Sequence, residues 1–234
     1  MHILVIDGHH IEAEFRAKFG PAHEYSLFSS HFADRAEQDH IAPQIRNAAA
    51  MADVAFCCGS AQSYLFFIGL SIPVFAEASC NLLFENILYE YEVVPNAPLF
   101  GFCGLPTFIN RPLLEVSLWN ENNREKLAET CATLGTDYRV VADRVGLVTP
   151  RVICQIINEA CFTVQEGTAT MADVDLGMKL GTSYPRGPFA WANAIGVERV
   201  YAVLEALWDD THDERYKVCP LLKRQALRGE PFAV

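Results

Sequence analysis

The chain has 234 residues, 51% of them apolar and 20% charged, with a formal net charge of −11 at pH 7. That is enough apolar material for one large or two modest packed domains, and it excludes a disordered chain. The acidic balance gives no electrostatic footprint for nucleic acid or an anionic membrane, although a helix N-terminus could still hold a small anion.

The N-terminus reads MHILVIDGHH. It is an apolar run without a basic lead-in or a small-residue cleavage site, so a first β-strand is expected there rather than a signal peptide. Further strands are expected at Glu24–Phe28, Val54–Cys57, Pro73–Phe75, Leu99–Phe102, Leu113–Leu118 and Tyr138–Ala142. Helical periodicity fits Glu12–Phe19, the Ala-rich Ile41–Met51, and Glu121–Leu134, which is charged outside and apolar at Leu127, Cys131 and Leu134. The apolar stretch Leu65–Phe75 is too short for a membrane span and is broken by Gly69 and Pro73. Strands alternating with helices predict an α/β domain with a mostly parallel sheet.

After about Val145 the pattern becomes all-helical. Pro150 suits a first helical position, and Val152, Ile153, Ile156, Ile157, Ala160, Cys161 and Val164 form a broad apolar face up to Gly167. Thr170 with Asp173 reads as a capping box opening a helix that ends at Gly181. A Pro/Gly loop, TSYPRGP, precedes helices at Pro188–Ile195, Val197–Trp208 and Pro220–Arg228. The division is therefore 1–145, α/β, and 146–234, all-α. Eight cysteines, at 57, 58, 80, 103, 131, 154, 161 and 219, lie mostly in apolar runs without a C-x-x-C pair. They read as buried free thiols in a reducing cytoplasm.

The ordered series Glu166–Gly167, Asp173–Asp175, Met178–Gly181 and Tyr184–Phe189, followed by RYKVCPLLKR at Arg215–Arg224, resembles the C-terminal domain of the 3-hydroxyacyl-CoA dehydrogenases. GFCGLPTFINRPLLEVS resembles, more faintly, the strand region that carries that family's catalytic histidine and glutamate. The resemblance implies a shortened Rossmann-like domain followed by the helical domain. It also implies NAD-dependent oxidation of 3-hydroxyacyl-CoA in fatty acid metabolism, and a homodimer formed through the helical domain. Phe189 and Trp191 are candidate anchors of that interface, since large aromatics dominate such contacts.

Carried over residue by residue, the resemblance places the family carboxylate at Glu115 and the family histidine at Cys103. A thiol does not replace an imidazole as the reversible base for an alcohol. The family's interdomain asparagine falls at Pro150, which offers neither an amide side chain nor a backbone donor. A dinucleotide-binding turn uses G-x-G-x-x-G after the first strand. Here the cofactor-binding stretch is Asp7, Gly8, His9, His10, Ile11 and Glu12, with no glycine at the three required places and two carboxylates that repel phosphate. The expectation is a catalytically impaired relative, a pseudoenzyme, that keeps acyl-CoA or another small ligand. Two alternatives stay open: an active oxidoreductase with a rearranged site around His9, His10 and Glu115, and a non-catalytic dimeric interaction module. Asp7, His9 and His10 could in principle ligate a metal, but adjacent histidines in such a turn diverge, so no metal is expected.

Overall fold

The computed structural model describes residues 1–59, 61–82 and 97–234, with no statement for the side chains of 61 and 62. It divides into two compact units, Met1–Leu147 and Val148–Val234. The division falls within the stretch where the composition changes. No helix among the described residues is long and apolar enough to cross a membrane.

The first unit is built on strands β1 (His2–Ile6), β2 (Glu24–Phe28), β3 (Val54–Cys57), β4 (Val74–Glu77), β5 (Leu99–Phe102), β6 (Leu113–Leu118) and β7 (Asp137–Val140). They form one sheet in the order β2-β1-β3-β4-β5-β6-β7. Pairings are parallel except β5 with β6, where Phe100 faces Leu118 and Phe102 faces Val116. The chain steps from β1 outward to β2, then crosses back to β3 on the other side. In open α/β sheets such a reversal leaves a crevice beyond the carboxyl ends of the two diverging strands, and that crevice is where ligands bind.

The period of two along β1 explains the layering. Ile3 and Val5 join one core with Ile11, Phe15 and Phe19, and with Leu127, Cys131 and Leu134. Leu4 and Ile6 join the opposite core with Ile45, Ala49 and Phe67. Helices α1 (Glu12–Phe19) and α3 (Arg124–Leu134) therefore cover one face and α2 (Arg35–Met51) covers the other. A ladder of phenylalanines crosses the first face: Phe56 stacks on Phe75 at 4.8 Å, and Phe75 meets Phe100 at 5.1 Å.

Some boundaries differ from the sequence expectation. Helix α2 begins at Arg35 rather than Ile41, so Pro43 lies inside it. The start is fixed by a reciprocal cap: Asp34 accepts from the Glu37 N–H at 2.9 Å and Glu37 accepts from the Ala33 N–H at 2.6 Å. Strand β4 runs on to Glu77, placing a carboxylate at the sheet's carboxyl edge. Ala61–Phe67 forms a 3₁₀ segment that periodicity did not suggest.

The second unit contains α4 (Thr149–Gln165), α5 (Met171–Thr182), α6 (Pro188–Ile195), α7 (Val197–Thr211) and α8 (Pro220–Arg228). The expected capping box is present, with Thr170 accepting from Asp173 N–H. Helix α5 runs one residue past Gly181 and stops at Ser183, which adopts φ +57°. Buried Asn158 on α4 ties down the stretch before α8, donating to Lys217 O at 3.0 Å and accepting from Cys219 N at 2.8 Å.

Phe189 and Trp191 are buried within this unit, Phe189 edge-on to Phe232 at 5.0 Å. They fill the unit's own core, because their helix is apolar on the face that meets α4, α5 and α7, and the role of interface anchors is corrected accordingly.

Candidate functional site

The crevice at the carboxyl ends of β1 and β3 is occupied by Asp7. This residue has φ +58°, in the left-handed region that glycine normally supplies at the first position of a dinucleotide-binding turn. Asp7 adopts this conformation while carrying a carboxylate. That carboxylate is only 5% exposed. It accepts from Ser30 N at 2.7 Å, Ser30 Oγ at 2.5 Å and Ser63 Oγ at 3.0 Å, and it contacts His31 Nδ1 at 3.1 Å. Burial alone would raise its pKa. The hydrogen bonds from Ser30, Ser63 and His31 outweigh that effect and hold the carboxyl below its ordinary value. Asp7 is therefore a fixed negative charge.

The carboxylate also lies against Gly59 at the end of β3. A Cβ added there would come within 2.8 Å of the Asp7 Cγ. A pyrophosphate placed in this crevice would meet an ionised, fully ligated carboxylate where a glycine backbone should receive it. The residues present do not fit a dinucleotide's pyrophosphate.

Gly8 is buried, while His9 and His10 lie exposed on a 3₁₀ turn, His9–Ile11, ahead of α1. Helix α1 then opens with Glu12 and Glu14, the wrong sign for an anion at its N-terminus. The structure does not bring the histidines to Glu115. Strands β3, β4 and β5 lie between β1 and β6, a separation of about 19 Å at ~4.8 Å per strand. A rearranged site joining His9, His10 and Glu115 is thereby corrected.

Cys103 and Glu115 do come together. Phe102, which precedes Cys103, pairs with Val116, which follows Glu115. The Arg111 guanidinium stands close enough to both to interact electrostatically, with Glu14 as a third neighbour. Burial pushes Arg111 below its usual pKa, and these neighbours oppose the shift. Arg111 also lies over the Phe108 ring at 4.5 Å. The connecting loop is held by Glu14, which accepts from Thr107 N at 2.6 Å and Asn110 N at 3.3 Å. A thiol, a guanidinium and two carboxylates therefore occupy this corner, with no imidazole among them. The arrangement offers no group with the pKa of a neutral-pH base.

Glu77, at the end of β4, carried no motif signal in the sequence: one partner, Gly104, lies 27 residues on and the other is the neighbouring Ser79. It is half-buried, and it accepts from Ser79 N at 2.7 Å, from the Ser79 hydroxyl and from the Gly104 N–H. Burial pushes its carboxyl above the ordinary range against those hydrogen bonds. Its negative charge in turn adds to the burial that pushes the Cys80 thiol up to about 12. The thiols of this edge are thus kept protonated and unreactive.

In the helical unit, Asp175 explains why the motif residues occur together. Its buried carboxylate accepts from Phe189 N at 2.7 Å and Ala190 N at 2.9 Å, capping α6. A Cβ at Gly187 would lie 2.5 Å from the Asp175 Cα, so the close approach requires glycine. Asp175, Gly187 and Pro188 form one structural clasp.

A doubly wound sheet with a crevice at β1 and β3, followed by an all-helical unit, defines the architecture. The family model described as "3-hydroxyacyl-CoA dehydrogenase, C-terminal domain" matches residues 146–231. Over 87 residues the chain is 41% identical to 3-hydroxyadipyl-CoA dehydrogenase of Escherichia coli K12, covering 37% of this chain and 18% of that protein. Over 89 residues it is 39% identical to the probable 3-hydroxybutyryl-CoA dehydrogenase of Bacillus subtilis 168, covering 38% of this chain and 31% of the other. The matching stretch thus spans less than a third of either relative. The solved (S)-3-hydroxybutyryl-CoA dehydrogenase from Ralstonia eutropha superposes with a TM-score of 0.69 at 18% identity, covering 97% of this chain and 94% of that one, which shows the fold. The similarity to the 3-hydroxyacyl-CoA dehydrogenase family therefore lies in residues 146–231, which match that family's C-terminal domain.

Proposed function

We propose that this protein is a 3-hydroxyacyl-CoA dehydrogenase relative that keeps the family's two-domain fold, has lost ordinary NAD-dependent hydride transfer, and retains a small ligand such as acyl-CoA. The observation that carries the reading is the Asp7 carboxylate, ionised and ligated by Ser30 and Ser63 in the crevice where a pyrophosphate would have to lie. The corner formed by Cys103, Arg111 and Glu115 supports it independently, since it lacks an imidazole base.

The test is oxidation of 3-hydroxybutyryl-CoA by the pure protein with NAD. Loss of a positioned general base lowers rates by on the order of 10²–10⁴-fold, so turnover should be absent or slower than that of an intact family member by at least this factor. Ordinary turnover that is abolished by Glu115→Gln would overturn the proposal.

We further propose a homodimer through the helical domain. With Phe189 and Trp191 committed to the core, the exposed Leu176 and Leu180 of α5 are the side chains available to an interface.

A further inference from the structure

Strand β2 is the outermost strand of the sheet among the described residues, paired with β1 alone. The Glu24 N–H donates to Met1 O at 3.0 Å, and Phe28 O accepts from the Asp7 N–H at 2.8 Å. In a ladder, alternate residues of a strand direct their N–H and C=O groups to the same neighbour. Glu24, Ser26 and Phe28 therefore face β1, while Tyr25 and Leu27 turn their backbone groups away from the sheet. An edge that presents such groups is a template for another strand.

Edges are commonly blunted by proline, by lysine or by a bulge. The strand reads EYSLF, with neither proline nor lysine, and its register with β1 runs unbroken from Glu24 to Phe28. Side chains hold it in place on both faces. The Tyr25 hydroxyl donates to Gly20 O at 2.8 Å, and the Arg16 guanidinium lies 4.8 Å from the Tyr25 ring. On the other face Ser26 Oγ meets His2 Nε2 at 2.8 Å. Tyr25 and Leu27 pack against one core and Phe28 against the opposite one. The edge is already ordered, which lowers the entropic cost of adding a strand to it.

We propose that this edge pairs with β2 of a second copy of the chain, antiparallel, about a two-fold axis at Ser26. Tyr25 and Leu27 are placed symmetrically about Ser26. Each Tyr25 then lies opposite Leu27 of the second copy, and every outward N–H meets an outward C=O. A register centred on Tyr25 or on Leu27 leaves the other residue beyond the end of the opposing strand. The side chains suit the same register. An aromatic–aliphatic pair forms on each side of the axis, and Glu24, the charged residue of the strand, lies opposite Phe28 rather than its own copy. This surface is separate from the helical-domain interface proposed above, and neither depends on the other.

Pairing through one short strand falls at the small end of protein interfaces, below about 1,200 Å², where association is weak and transient. It should be negligible at about 10 μM and should involve about half the chains near 1 mM. The experiment is small-angle X-ray scattering with amide hydrogen exchange at both concentrations, in about 0.15 M salt to screen the acidic copies. The scattering mass of the intact protein should at least rise toward twice its dilute value. Leu176→Asp with Leu180→Asp should show the same rise, so the outcome does not hang on the helical-domain dimer. The Tyr25 and Leu27 amides should exchange about twofold more slowly at the higher concentration, while Ser26 and Phe28, already bonded to β1, are unchanged.

Ser26→Lys and Ser26→Asp test the register. Opposing residues at the axis have Cβ atoms about 4.5–5.5 Å apart, so each variant alone sets like charges together and should keep its dilute mass near 1 mM. An equimolar mixture sets opposite charges together and should recover the rise, which a variant that had merely lost its fold could not do. A mass of the intact protein that stays at its dilute value near 1 mM overturns the proposal. So does a rise that both single variants retain, or a mixture of two folded variants that fails to recover it. Should either variant melt well below the intact protein, exchange decides: Tyr25 and Leu27 amides with the same rates at both concentrations overturn the pairing.

Discussion

Replacing Asp7 with asparagine isolates the charge that organises the crevice. Asparagine has nearly the same shape and tolerates the left-handed conformation at φ +58°, so the backbone should not change. The amide keeps an acceptor for the Ser30 N–H but turns one ligated oxygen into a donor facing the Ser30 and Ser63 hydroxyls. Both hydroxyls can rotate to accept, so the loss is mainly that of charge assistance. Hydrogen bonds to charged groups contribute roughly 1.5–3 kcal/mol each, against about 1 for neutral ones. With three such bonds weakened and partly rearranged, the expected destabilisation at pH 7 is about 2 kcal/mol. The exposed His31 contact is left out of that figure.

For a protein of this size, about 2 kcal/mol corresponds to roughly 4–8 °C in Tm. The pH dependence supplies the sharper check. The folded-state pKa of Asp7 lies below its unfolded value near 3.8, so the carboxylate's contribution is complete above that value and disappears as pH falls through the folded pKa. Calorimetric melts of wild type and variant should differ at pH 7 and converge below about pH 4. Equal stability at pH 7, or a gap that widens in acid, would refute the assignment of Asp7 as an ionised, ligated carboxylate.

Four further outcomes are expected. Gly187→Ala forces a Cβ into the Asp175 backbone and should destabilise the helical unit by about 1–3 kcal/mol, read as a lowered melting temperature; a neutral result would mean the clasp is loose. Burial pushes the thiols of Cys80 and Cys131 up to about 12 and about 11, so iodoacetamide at pH 7.5 should leave both unmodified in the native protein, and rapid labelling by mass spectrometry would contradict this. Light scattering should give twice the 26.1 kDa chain mass, and Leu176→Asp with Leu180→Asp should yield a monomer of unchanged melting temperature. Phe189→Ala should instead unfold the helical unit, at roughly 3–5 kcal/mol.

The order of elements was legible because period-two and period-3.6 patterns are local. The alternation along Ile3–Ile6 and the spacing of Leu127, Cys131 and Leu134 each pointed to the surface that is buried. The start of α2 was carried by Asp34 and Glu37, a cap signal that lies ahead of the Ala-rich stretch Ile41–Met51 on which the helix was expected. The nearness of Cys103 and Glu115 to one another was implied by the family resemblance, and both lie around Arg111.

What the sequence did not reveal is made of contacts across the chain. Asp7 meets Ser30, His31 and Ser63, from the ends of different elements, and Glu77 meets Gly104. His9 and His10 attracted attention by their place after β1, whereas His31, in a polar loop without a motif, is the histidine that a buried carboxylate orients. Phe189 and Trp191 carried the opposite ambiguity, because an apolar helix face reads the same whether it meets its own unit or a second copy.

The central claim is that Asp7 denies the crevice to a dinucleotide, and titration of the protein with NADH, followed by nicotinamide fluorescence, tests it most directly. The wild type should show no saturable change up to about 1 mM, whereas a protein with a working pyrophosphate turn, holding ligand at ~100 times its dissociation constant, would gain about 2.7 kcal/mol of stability. Saturable binding in the micromolar range by the wild type, undiminished when Asp7 is ionised at neutral pH, would contradict the account.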